Sequence, residues 1–134
     1  MAIYGSPTVG RLGITTREAA CNHAALGMLP DTSKMMFWML YYTLFALRAE
    51  FNNKAQGAAQ QNISKEKVAE ALFVLPPMET QRRFEEIVGP MQAMRRNLQE
   101  RNRNLRTTRD LLLPKLIAGD LDVSALPEPE ALAA

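Results

Sequence analysis

FEEIVGPMQAMRRNLQERNRNLRTTRDLLLPKLI, residues 84–117, places an apolar side chain at every seventh position: Phe84, Met91, Leu98, Leu105 and Leu112. Ile87 and Met94 occupy the positions three residues further on, and this alternation of three and four lays one apolar stripe along a helix. The spacing predicts a long helix whose stripe is the seam of a coiled coil or of a helix bundle. The second seam position turns polar at Arg101 and Thr108. A seam arginine snorkels or pairs with a carboxylate on the facing helix, which sets register or orientation. From Arg82 to Ile117 such a helix would run about 54 Å at 1.5 Å per residue, longer than so small a chain covers by itself. Its seam is therefore expected to pack on another element. Pro90, after Gly89, is expected to start or kink the helix, and Pro114 to bend its last turn.

Upstream of this helix the pattern changes. Gly5, Pro7, Gly10, Gly13, Gly27 and Pro30 punctuate the first thirty residues around the short apolar runs 1–4 and 8–14, which read as two or three short strands joined by tight turns. Asp31, Thr32 and Ser33 offer N-caps to MMFWMLYYTLFALRAE, residues 35–50, which predicts a helix of about four to five turns. That helix is apolar on nearly all sides and is expected to be buried. A polar loop over 52–62, a short helix near 64–71 and a strand-like LFVL over 72–75, closed by Pro76-Pro77, complete the unit. The fold class expected is α+β, organised as a domain over 1–77, a long helix over 78–118 and a flexible acidic tail over 119–134.

Length and charge narrow the function. A chain of 134 residues supports one small core with an appendage. The net charge of +2 points to no partner by itself, but its distribution is uneven: residues 82–115 hold nine bases and four acids, whereas 119–134 hold four acids and no base. The long helix is the basic element. Cys21 is the one cysteine and His23 the one histidine, too few for a disulfide, a thiolate metal cluster or a Ser-His-Asp triad. A structural hydrogen bond is the favoured role for His23. The glycines at 5, 10 and 13 match neither nucleotide-binding pattern, and the acids are scattered rather than clustered as a nuclease metal site needs. Pro76-Pro77 follows Leu75, which does not fit the Asn-Pro-Pro-aromatic type of motif expected of a DNA methyltransferase. A non-catalytic protein with no metal and no cofactor is expected. The amino-terminal residues lack the basic and apolar segments of a secretory signal, and the apolar run 35–47 falls short of the ~20 residues a spanning helix needs. A cytoplasmic location with no membrane partner follows as an expectation.

Four strings in order, IYGSPTVGRLGI (3–14), CNHAALGMLP (21–30), GAAQQNISKEKVAEALFVLPPMETQRRF (57–84) and LRTTRDLLLPKLIAGDLDV (105–123), together resemble the specificity subunit of type I restriction-modification systems. The third string is the most telling and the fourth is similar to the family's ending of its long helix. In that family two target-recognition domains each read half of a split DNA sequence, and long antiparallel helices space them. Two methyltransferase (modification) subunits dock on the specificity subunit, and restriction subunits join through them. The resemblance implies that 1–77 is the distal part of one recognition domain and 78–118 one spacer helix. It also implies a truncated pattern, without the first half of that domain, the second domain or the second spacer.

If the resemblance holds, double-stranded DNA is the expected ligand. Arg11, Arg17, Lys54, Lys65 and Lys67 are the candidates for phosphate contacts, and Gln60 and Gln61 for base edges, since a glutamine amide pairs bidentately with adenine. Plain loop hydrogen bonding is the equal alternative for 60–62. The seam of Phe84, Ile87, Met91, Met94, Leu98, Arg101, Leu105 and Leu112 is expected to pair antiparallel with a second copy or with another specificity chain. The alternative reading is a non-DNA protein, a coiled-coil dimerisation stalk with a small cap, or a gene remnant without function.

Overall fold

The computed structural model describes residues 1–5, 8–55, 62–122 and 124. It contains four helices among these residues: α1 (Phe37–Ala46), α2 (Arg48–Lys54), α3 (Lys65–Ala69) and α4 (Met78–Ala118). The chain divides into two compact units, Met1–Pro90 and Met91–Ala134, and α4 supplies residues to both. The division falls at Pro90, which lacks the N–H that would close a helical bond to the carbonyl of Glu86. The helix nonetheless runs without interruption from Met78 to Ala118, across Pro90 and Pro114 alike.

The α+β expectation is overturned, because the described residues form no sheet. Two isolated antiparallel bridges, Ala2 to Ala25 and Tyr4 to Asn62, stand where the short strands were expected. The turns take up the neighbouring backbone groups instead. The Gly5 carbonyl accepts from the N–H groups of both Thr8 and Val9, the Ala2 carbonyl from Gly10, and the Arg11 carbonyl from Ala2. Gly5 (φ 88°) and Gly10 (φ 77°) take the left-handed backbone that these turns require. Single rungs with no third strand beside them do not propagate into a ladder. LFVL at 72–75 is not a strand either: no backbone among the described residues pairs with it, and Leu72 and Val74 are 89% and 92% exposed.

The buried apolar core of unit 1 consists of Val9, Phe51, Ile63 and Val68, with Ile3, Leu26, Leu44 and Leu47 packed against it. Phe51 of α2 supplies the largest side chain, and the Ile63 N–H donates to the Ile3 carbonyl at 3.0 Å, tying the first residues to the start of α3. The helix expected over 35–50 breaks at Leu47 into α1 and α2. The expectation that it is buried is also corrected. No α1 residue is fully buried, and Phe37 and Phe45 are exposed. So small a core leaves an all-round apolar helix partly uncovered. Ser64 caps α3, its hydroxyl accepting from the Lys67 N–H at 3.4 Å.

Candidate functional site

Three groups of residues are candidates for function: the junction of α1 with the start of α4, the basic residues of unit 1, and the exposed stripe of α4. The junction is built from helix ends. A helix begins with N–H groups that have no partner inside it, and α1 has neither a side-chain cap from Met36 nor an acid in its first turn. Asp31, expected as a cap, closes its own turn instead. Its carboxylate accepts from the Ser33 N–H (3.1 Å) and hydroxyl (2.6 Å), and its carbonyl accepts from Lys34 and Met35. The Ser33 hydrogen bonds hold the Asp31 carboxyl below its ordinary value.

The orphan donors of α1 find partners on α4. Gln81 Oε1 accepts from the Met36 N–H at 2.9 Å, and Glu85 Oε2 accepts from the Trp38 N–H at 3.1 Å. Gln81 is 1% exposed, and its Nε2 donates to the carbonyls of Lys34 (3.2 Å) and Pro76 (2.8 Å). The Glu85 carboxylate also places negative charge at the positive end of the α1 dipole. Tyr42 meets Phe84 edge to face with centroids 5.7 Å apart, and a Cβ on Gly89 would lie 3.8 Å from Trp38 Nε1. The first three turns of α4 are thereby fixed to α1. Sequence reasoning passed over Gln81 and Glu85. Nothing local marks a glutamine and a glutamate one turn apart on a predicted helix as caps, and only their hydrogen bonds to α1 give them a role.

The candidate phosphate-binding residues are spread over unit 1. Arg11 follows the Gly10 turn and is exposed, as is Arg17 in the segment after it. Lys54 closes α2 and pairs with Glu50 at 2.5 Å. Lys65 opens α3, exposed, and Lys67 is half-buried one turn-step on. Lys54 and Lys67 come together on the rim of a shallow open hollow completed by Asn53 and Glu70, whereas Arg11 and Arg17 do not line it. Gln60 and Gln61 lie outside the described residues.

The stripe of α4 has two environments. Phe84 is half-buried against Tyr42. Ile87, Met91, Met94, Leu98, Leu105 and Leu112 are between 40% and 68% exposed. Arg101, at the second seam position, is exposed with no ion pair among the described residues, whereas Arg103 pairs with Glu100 and Arg109 with Asp110. Across 91–118 every residue but the half-buried Gln92 is exposed, so among the described residues the apolar groups of this part of the helix are left uncovered. No group of three or more His, Cys, Asp or Glu side chains is placed to hold a metal among the described residues. No helix there is long and apolar enough to cross a membrane.

Compared with known proteins, the chain matches no protein-family model. It also matches no solved structure.

Proposed function

We propose that the chain is a non-catalytic DNA-specificity component of the type I restriction-modification kind, in which unit 1 contributes to target recognition and α4 serves as a spacer helix that docks other subunits. The observation that carries this reading is the stripe from Met91 to Leu112: apolar at heptad spacing, exposed along its length, and set in a basic helix. Such a stripe on a lone helix calls for a partner helix. The order of the four sequence strings supports the identity of that partner as a methyltransferase subunit or another specificity chain.

In this reading Lys54 and Lys67 at the hollow, with Arg11, Arg17 and Lys65, contact phosphates and fix register, while Gln60 and Gln61 read base edges. No step of chemistry is assigned to the chain. The protein would act in the cytoplasm, where the restriction-modification complex meets DNA.

The test is the mass in solution of the purified chain, alone and mixed with a type I methyltransferase subunit, by light scattering after gel filtration. A stable mixed complex is the expected result, and Leu98→Asp is expected to abolish it by placing an unpaired charge in the seam. A chain that ignores the methyltransferase overturns the docking role. Binding to matched and mismatched DNA then tests recognition: affinity should fall steeply with salt, and Gln61→Ala should lose more on matched DNA. Equal loss on both removes base reading from Gln61.

A second reading, a small helical cap on a coiled-coil stalk with no DNA role, is favoured by one observation, the absence of a sheet from the described part of unit 1. Salt-independent, negligible DNA binding would select it.

A further inference from the structure

The charges beside the stripe say what kind of helix covers it. Over 91–118 the sequence holds seven basic residues and two acidic ones, Glu100 and Asp110. Carried along the heptad, both acids fall on the side away from the stripe. Every charged residue in the seam or directly flanking it is basic: Arg101 and Lys115 in the second seam position, Arg95 and Arg109 beside it. Arg109 is engaged by Asp110, an exposed neighbour that competes weakly. Arg95, Arg101 and Lys115 have no ion pair among the described residues.

A second copy of this chain would bring the same stripe, parallel or antiparallel, and no carboxylate on its seam or flanks to meet these cations. Positions flanking a seam choose partner and orientation, and like charges across it oppose pairing. We infer that the 91–118 stripe is a docking surface for an amphipathic helix of a different chain, one that carries carboxylates along its own seam edge, and that the basic positions select this occupant over a second copy. DNA is the lesser fit, since phosphate contacts leave Met91, Met94, Leu98, Leu105 and Leu112 in water. The inference does not rest on DNA recognition by unit 1.

The experiment uses the full chain and two synthetic helical peptides as long as 91–118. Both have a leucine seam; one has Glu and the other Lys at the second seam position and the flanks. Fluorescence anisotropy of the labelled peptides is expected to show the Glu peptide binding at least about tenfold more tightly, a difference of about 1.4 kcal/mol. The double variant Arg95→Glu with Arg101→Glu should reverse the preference, and Leu98→Asp should abolish binding of both. Arg95 and Arg101 are exposed, so circular dichroism of the double variant should match the parent. Sedimentation of the chain alone, at concentrations where the Glu peptide binds, should show a monomer. Equal affinity for the two peptides, or a homodimer that excludes the Glu peptide, overturns the inference. So does displacement of the Glu peptide by a DNA duplex of arbitrary sequence at equal concentration, because the basic positions would then serve phosphates.

Discussion

Gln81→Ala is expected to cost unit 1 more than any change on the exposed stripe. The Gln81 amide makes three hydrogen bonds, accepting from the Met36 N–H at 2.9 Å and donating to the Lys34 and Pro76 carbonyls at 3.2 and 2.8 Å. The side chain is 1% exposed, so alanine leaves one donor and two acceptors facing a small void. Each lost bond is worth about 1 kcal/mol and an unmet buried group more, while water reaching the partly buried partners returns some of this. The sum is about 2–4 kcal/mol, a large share of the 5–15 kcal/mol typical of a whole domain. Gln81→Glu keeps the acceptor for Met36 but sets a carboxylate against two carbonyls, which raises its folded-state pKa above the unfolded value of about 4.3. Its penalty should therefore grow as pH rises through and above that value, and shrink in acid where the protonated carboxyl donates one bond. Urea unfolding of the full chain, followed by fluorescence of Trp38, the sole tryptophan, reads both variants beside α1. A loss below about 0.5 kcal/mol for Gln81→Ala, within the range of surface substitutions, would refute the capping argument.

Glu85→Ala should remove about 1 kcal/mol by freeing the Trp38 N–H and withdrawing a charge from the α1 dipole, with Glu85→Gln recovering most of it in the same urea series. Asp31 has a folded-state pKa held below the unfolded one by Ser33, so its contribution is present above about pH 4 and fades as pH falls through the folded value. Stability of Asp31→Asn measured from pH 6 to pH 2 should lack that part of the slope. Phe51→Ala, at the fully buried centre of the core, should cost about 3–5 kcal/mol in thermal unfolding. Backbone amide exchange of the chain alone should be slower over 78–89, where α4 is fixed to α1, than over 91–118, and addition of a bound partner helix should erase the difference.

The long helix was legible in the sequence because heptad spacing is a local property that needs no knowledge of the rest of the chain. The helix at 65–69 was legible for the same reason, Ser64 preceding a run without breakers. Strands were not. The runs 1–4, 8–14 and 72–75 have strand-like composition, but a strand is defined by what lies beside it, and the described residues supply single bridges and no ladder. Composition also overstated burial: α1 is apolar all round, and burial depends on how much of the chain is there to cover it. Asp31 was expected as a cap, and no role was expected of Gln81. The capping falls to α4 because a cap is recognised locally in sequence, whereas Met36 and Trp38 are capped from a helix more than forty residues away.

The two parts of α4 show how one helical pattern comes to have two uses. Up to Gly89 its side chains answer needs of unit 1: Gln81 and Glu85 satisfy the backbone of α1, and Phe84 and Gly89 accommodate Tyr42 and Trp38. Past Pro90 the heptad continues, yet it stays exposed among the described residues. Helical stability in proteins comes chiefly from packing an apolar face, which is the ground for proposing a face opposite the 91–118 stripe. A chain free to pair with itself would have no use for cations at each charged seam and flank position, since they oppose that pairing. The side away from the stripe holds Arg103, paired with Glu100, and Asp110. In the reading inferred above, Arg95, Arg101 and Lys115 beside an apolar seam select among partners, and α4, rather than the small core of unit 1, would then decide what the protein assembles with.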